Sequence, residues 1–454
     1  MKAKFSSTSL LLVSLSVLLA WYGVYEKQFK PKKTAEETNS KRLSAFSKDE
    51  IQELEIAQGA DSIYKLKRSN KDWLITSPVE DSADAGAVNS LLTTLTSTEQ
   101  ERTVEENPKS LEPFGLEKPS LILRSVKDAQ TSQTIFVGNQ TQVGSGVYVK
   151  TSSGNAVFKA NRALLSSFQK SLFELRNKNL VELNKTELAE VEITNPTGQI
   201  LLNRGSDDKW VLSREGGSPV DRMIWEKVLT TLVDLKAIAI ASEKPEIQSY
   251  KIDKPLVRVV LSTGADKSQE TLLFSRTNGK VYGKREDKPF IYELNKEILE
   301  NLNKSASTFR DLHLASFNRF SVTKILIGHG TKTFELRKEG AVWSFAENKT
   351  GRKLDPGKVE KFLTDLQDSK VTALSDVKKP KDPVVVIEVF EKQNEKEISV
   401  AKLELFANGA GLALGTSNYL KGVWALPHKD LKQLNLTQED FLESAPQKPE
   451  EKKS

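Results

Sequence analysis

The sequence predicts an α+β protein: three tandem copies of an antiparallel sheet packed with one or two helices, after an N-terminal transmembrane helix. Three observations lead there. One helical pattern is written three times, at residues 84–95 (DAGAVNSLLTTL), 221–232 (DRMIWEKVLTTL) and 355–366 (DPGKVEKFLTDL). Tryptophans 73, 210 and 343 precede the three patterns at similar spacing. An uncharged apolar run occupies residues 5–25.

The helices come first. In each copy an aspartate is followed at +4 by Val88, Trp225 or Val359, at +7 and +8 by two apolar residues, and at +11 by Leu95, Leu232 or Leu366. Those spacings fall on one face of a 3.6-residue helix. The leading Asp84, Asp221 and Asp355 suit the N-cap, where a carboxylate accepts orphan N–H groups of the first turn. Three unrelated amphipathic helices would show the same periodicity, but here the flanks repeat as well.

In the first copy, Ile51, Leu54 and Ile56, then Ile63, Tyr64 and Leu66, then Trp73, Leu74 and Ile75 alternate between turn residues at 59–61 and 69–71. They read as short antiparallel strands. After the helix, 114–119 (FGLEKP) opens four strand-like runs at 120–126, 134–137, 146–150 and 156–160, and a second helix is expected over 163–172. In the second copy Trp210 stands for Trp73 and Asp221 for Asp84, while 250–255 (YKIDKP) stands for 114–119 and 309–311 (FRD) for 175–177 (LRN). The third copy has Trp343, Asp355 and Val423-Trp424; its middle has lost the aromatic turn, leaving Pro380 or Pro383 to match Pro255. A period this long marks tandem domains rather than a solenoid. The expected order is a membrane anchor over 1–29, a linker over 30–48, repeat domains at 49–183, 184–318 and 319–444, and a disordered tail at 445–454. The three tryptophans read as core anchors; aromatic platforms for a glycan or base are the alternative.

The chain has 454 residues, 38% of them hydrophobic and 28% charged, and a net charge of only +6 from 67 basic and 61 acidic side chains. That small excess does not imply a nucleic-acid groove, and no nucleic-acid partner is expected. Cysteine is absent, which excludes disulfides, thiolate metal sites and cysteine nucleophiles. The run 5–25 spans about 31 Å as a helix, near the roughly 30 Å of a bilayer's hydrocarbon, and ends in Trp21, Tyr22 and Tyr25. It therefore reads as an uncleaved membrane anchor. A signal peptide cut after Ala20 is the alternative, though Leu18 is large for such a site. Lys27, Lys30, Lys32 and Lys33 after the run favour a cytoplasmic body, yet exported chains also begin with a basic pair and an apolar run. An extracytoplasmic body is the expectation.

The inventory of reactive groups is thin. His313, His329 and His428 have no second histidine at helical spacing and no HExxH context, so no metal site is expected. The short glycine clusters at 144–146, 328–330 and 409–411 do not extend into a dinucleotide or phosphate loop; Gly328 and Gly330 read as a hairpin turn instead. No nucleophile elbow is present. Carboxylates are plentiful, which leaves a glycosidase-like pair open, but most of them, such as Glu99, Glu101, Glu105 and Glu106, read as solvated. No catalytic, cofactor-binding or metal residues are assigned, and no cofactor is expected.

The apolar amino end, the run Trp73-Leu74-Ile75-Thr76-Ser77-Pro78, the Ala83-Asp84 step before the 88–95 helix, the Phe114–Pro119 turn and the closing Leu175-Arg176-Asn177-Lys178 together resemble the bacterial family known as domain of unknown function 4340. The first copy carries the resemblance best, the second fairly, and the third least. The resemblance implies a non-catalytic, extracytoplasmic partner of ABC-type export systems of the gliding-motility kind, held in the bacterial inner membrane. It carries no catalytic residues over. The expected function is a membrane-anchored accessory or scaffold protein whose partners are envelope or ABC transporter proteins. An extracytoplasmic glycan- or peptide-binding protein with a cleft between repeat domains is the alternative.

Overall fold

The computed structural model describes residues 20–22, 41–59, 62–264, 266–347, 351–375, 377–394, 396–407 and 413–444. Most of the expected anchor over 5–25, the linker up to residue 40 and the tail lie outside the described residues. Among the described residues no helix is long and apolar enough to cross a membrane. The chain packs as two compact units, Met1–Lys178 and Asn179–Ser454. The first holds one sheet and the second holds two.

In the first unit the chain forms β1 (Glu53–Gln58), β2 (Ser62–Ser69), β3 (Asp72–Ser77) and the short β4 (Asp81–Ser82). Helix α1 (Ala85–Ser97) leads to β5 (Arg102–Glu105), and then come β6 (Leu121–Val126), β7 (Ser132–Gln140), β8 (Gly146–Thr151) and β9 (Val157–Asn161). The strands pair antiparallel in the order β4-β3-β2-β1-β6-β7-β8-β9-β5. Thus β4 and β5 are opposite edges, and α1 carries the chain from one to the other. Alternation sorts the strands: Leu54, Ile56, Leu66, Ile75, Leu121, Leu123, Ile135, Val137, Val147 and Val149 are buried in one cluster with Val88, Leu91, Leu92 and Leu95 of α1. A side chain every second residue on the strands meets the apolar stripe of the helix.

The second unit repeats the plan. Strands β10 (Leu188–Asn195), β11 (Gly198–Arg204), β12 (Trp210–Leu212) and β13 (Ser218–Pro219) run outward to one edge. After the second main helix come β14 (Ala239–Ser242), β15 (Val257–Thr263), β16 (Gln269–Thr277), β17 (Lys280–Arg285) and β18 (Ile291–Leu294), in the order β13-β12-β11-β10-β15-β16-β17-β18-β14. The third sheet has β19 (Val322–His329), β20 (Lys332–Glu339), β21 (Val342–Phe345), β22 (Ala373–Ser375), β23 (Val385–Gln393), β24 (Lys396–Phe406), β25 (Ala413–Ser417) and β26 (Val423–Leu426). Its order, β21-β20-β19-β23-β24-β25-β26-β22, is the same plan without the two-residue edge strand. Three antiparallel sheets, each covered by few helices, give the α+β architecture.

The repeated helical pattern behaves as its spacing requires. Asp84 accepts from the Ala87 N–H at 2.7 Å, Asp221 from Ile224 at 3.0 Å and Asp355 from Gly357 at 2.9 Å. All twelve positions at +4, +7, +8 and +11 are buried. Trp73, Trp210 and Trp343 sit on β3, β12 and β21 and are 7%, 8% and 4% exposed, so they are core anchors. The glycines at 328 and 330 form the expected hairpin, with His329 paired to Lys332 and Gly330 at φ 58°. In the third copy Pro383, two residues before β23, takes the place that Pro255 holds before β15 and Pro119 before β6.

Two expectations change. The helix expected over 163–172 is two short ones, α2 (Ala163–Phe168) and α3 (Leu172–Leu175). Ser171 and Glu174 form a reciprocal capping box that starts a new helix, so the chain breaks before it. Residues 41–48, read from composition as the end of a linker, are built into the first unit. Leu43 is 2% exposed, and its N–H donates to Thr98 O at 2.9 Å. The same step recurs where Leu180 N–H donates to Leu235 O at 3.0 Å and Leu314 N–H to Ser369 O at 3.1 Å. Each copy therefore begins with a buried leucine paired to the chain just beyond its main helix.

Candidate functional site

Polar residues repeated in all three copies are the natural place to look for shared chemistry, and each is consumed by backbone. At the end of the first strand, Gln58 donates from Nε2 to Phe168 O at 2.7 Å and Lys170 O at 2.8 Å. Asn195 donates from Nδ2 to Leu302 O at 2.9 Å and Lys304 O at 2.8 Å. His329 Nε2 meets Leu436 O at 2.8 Å. These carbonyls are orphans left where the two closing helices break, and one side chain in each copy satisfies them. His329 thus holds the fold, and no group of carboxylates and histidines with metal-ligand spacing occurs among the described residues. His313 contacts Asp311 through Nδ1.

The closing motif is likewise structural. Leu175 O accepts the Asp84 N–H, Phe309 O accepts that of Asp221 and Phe441 O that of Asp355, all at 2.8 Å. Arg176, 1% exposed at its side chain, pairs with Asp81 at 2.6 Å; Arg310 pairs with Glu215. Burial of both partners keeps the Arg176 pair dry, where geometry decides whether attraction offsets desolvation.

Two ionic clusters in the second unit were not legible beforehand. Arg285, 8% exposed at its side chain, reaches Asp287 at 2.6 Å, Glu182 at 3.0 Å and Glu270 at 3.4 Å. Burial raises the Glu270 carboxyl above its ordinary range, against the Glu182 N–H and Arg285, which lower it. Beside it Lys284 is buried and donates to Arg285 O and Glu286 O at 3.0 Å, and its ammonium is pushed down by that burial. Glu270 occupies the place of Gln133 in the first copy. There Gln133 accepts from Ala45 N–H at 2.7 Å, and here Glu182 N–H donates to Glu270 at 3.1 Å. The second cluster joins Asp311, His313 and Tyr419. Burial would raise the Asp311 carboxyl, but donation from Tyr419 Oη at 2.6 Å and from the His313 N–H at 3.0 Å brings it below its ordinary value. Both clusters tie incoming chain to a sheet.

What the structure offers a ligand is surface. A cleft of about 640 Å³ lies in the second copy, where the β10–β11 hairpin, the 250–256 loop and the ends of β15 and β16 meet. Lys251, Lys254, Arg258 and Arg276 line it with Thr194, Ser275 and Pro255. A smaller cleft of about 460 Å³ in the third copy brings Lys379, Lys402 and Lys421 around Glu404. A third, about 430 Å³, lies among Arg42, Ser44, Glu50 and Gln133 of the first.

The family model described as Domain of unknown function (DUF4340) matches this chain twice, over residues 73–246 and 210–384. Both windows begin at the tryptophan of a third strand, and each runs past the next such tryptophan, so the family's unit is cut out of phase with the sheets. Together they cover more than half of the 454 residues. No curated protein and no solved structure matches.

Proposed function

This chain belongs to the DUF4340 family, and on that premise we propose that it is a non-catalytic, membrane-anchored accessory protein of the bacterial envelope. Its tandem copies serve as a scaffold for other envelope proteins, an ABC-type transport system among them. One observation carries the reading: the polar side chains that recur at equivalent places in the copies are used up on the chain's own backbone. Asp84, Asp221 and Asp355 cap helices, and Gln58, Asn195 and His329 close helix breaks. The outer surface also differs between copies, as at Arg258, Ile122 and Val386, and surface that varies on a repeated frame suits a binder of several partners. The apolar run at 5–25 supports a single-pass anchor, with the body on the extracytoplasmic side.

Affinity purification of the full chain from membranes in mild detergent tests this. Recovery of transporter subunits in stoichiometric amount is the expected result. A chain recovered alone overturns it, and protease treatment of intact spheroplasts that leaves the body untouched overturns the extracytoplasmic placement.

A further inference from the structure

We propose that the cleft of the second copy is a docking site for an acidic peptide segment of a partner protein. The proposal rests on the scaffold reading and names the chemistry of one contact. Among the described residues four cations line the cleft, Lys251, Lys254, Arg258 and Arg276, and no carboxylate does. None of the four forms an ion pair among the described residues, whereas Lys379 of the third copy's cleft is neutralised by Glu404. Asp253, the one acid in the 250–258 loop, does not line the cleft.

The other two copies act as internal controls. Register fixes the correspondence: Val257 pairs with Phe274, as Leu121 pairs with Val137 and Val385 with Leu405. One residue beyond the first partner stand Arg258, Ile122 and Val386. Two beyond the second stand Arg276, Asn139 and Ala407. The fold is therefore built without either arginine elsewhere. Lys251 follows Tyr250, whose ring meets Tyr282 at 4.8 Å, as Gly115 follows Phe114, whose ring meets Tyr148 at 5.1 Å. Both residues have positive φ, 55° at Lys251 and 67° at Gly115. Glycine is the unstrained choice there, and the second copy keeps a lysine against that preference.

The occupant follows from layout. The cations come from the 250–256 loop and the ends of β15 and β16 and lie at or near the surface, with Arg258 half-buried on the sheet's outer face opposite Thr194 and Leu273. Several carboxylates on one peptide complement four cations supplied by separate segments, since arginine forks hold carboxylates bidentately. Pro196, Pro255 and Leu256 give the intervening side chains an apolar wall.

Fluorescence anisotropy of the full chain with a labelled oligoglutamate peptide tests the proposal, with oligoglutamine as its uncharged counterpart. Wild type is expected to bind oligoglutamate alone, and more weakly as salt rises. The variant carrying Lys251→Gly, Arg258→Ile and Arg276→Asn takes residues the first copy already accommodates, so its melting point is expected to hold while affinity falls about tenfold or more. Replacing Lys378, Lys379 and Lys381 by Gln removes as much charge elsewhere and is expected to leave affinity unchanged. No binding to wild type, or equal loss in both variants, overturns the site. Equal competition by inorganic phosphate overturns the peptide in favour of a small anion. Transporter subunits that still co-purify with the cleft variant, when oligoglutamate does not bind wild type, sink the cleft and leave the scaffold reading standing.

Discussion

Asn195→Ala removes the side chain that closes the helix break of the second copy. Asn195 is 8% exposed; its Nδ2 donates to Leu302 O and Lys304 O, and its Oδ1 accepts from Thr197 N–H at 2.8 Å and Thr197 Oγ1 at 2.7 Å. A lost hydrogen bond costs about 1 kcal/mol net, and a buried group left unpaired about 1–3. Water reaches the rim of this site, so the two carbonyls together set a loss of about 2–4 kcal/mol. For a compact unit of this size each kcal/mol moves the melting temperature by about 2 °C, so a drop of about 4–8 °C is expected by calorimetry or circular dichroism. Asn195→Asp sharpens the test. It keeps the acceptor for Thr197 but turns an oxygen toward two carbonyl oxygens, so it is expected to cost more than alanine. Asn195→Ala within about 0.5 kcal/mol of wild type, or Asp milder than Ala, would refute the reasoning.

Other outcomes follow from the same structure. Asp84→Ala, Asp221→Ala and Asp355→Ala should each cost about 1 kcal/mol in denaturant melts, as loss of one N-cap does. Trp225 is 1% exposed between Trp210 and Phe309, with ring centroids at 5.4 and 5.9 Å, and its Nε1 has no hydrogen-bond partner among the described residues. Trp225→Ala should cost about 3–5 kcal/mol, and Trp225→Phe, which discards an unpaired N–H, far less. Asp81→Ala, which takes the carboxylate from buried Arg176, should cost about 3 kcal/mol in the first unit. Asp311 has its carboxyl held below the ordinary 3.8. Its stabilisation is complete above that value and is lost as pH falls through the folded value, so acid titrations of Asp311→Asn should show a shallower loss of stability below about pH 4.

The main helices and the tryptophan strands were legible because one physical signal, apolar side chains at fixed period, was written three times. Burial of Val88, Trp225 and Val359 at the same step after a capping aspartate shows how far periodicity alone reaches. The helix over 163–172 was misread because Leu164, Leu165 and Leu172 keep an apolar rhythm across the break, and only the Ser171–Glu174 box betrays a restart. Edge strands such as β4 and β5 are too short and polar to announce themselves. Leu43 hid in a charged stretch because a single buried residue has no period. Gln58, Asn195 and His329 share a place but not an identity, so only the register shows them to be one device. The same holds for the cationic cleft. Lys251, Arg258 and Arg276 are scattered in sequence, and their meaning comes from Gly115, Ile122 and Asn139 standing where they stand.

In-cell crosslinking of the full chain, read by mass spectrometry, bears most directly on the claim that shared positions build and differing surfaces bind. Links to other envelope proteins are expected, concentrated on surfaces unique to one copy, with Lys251 and Lys254 prominent. A chain that yields only internal links would contradict it.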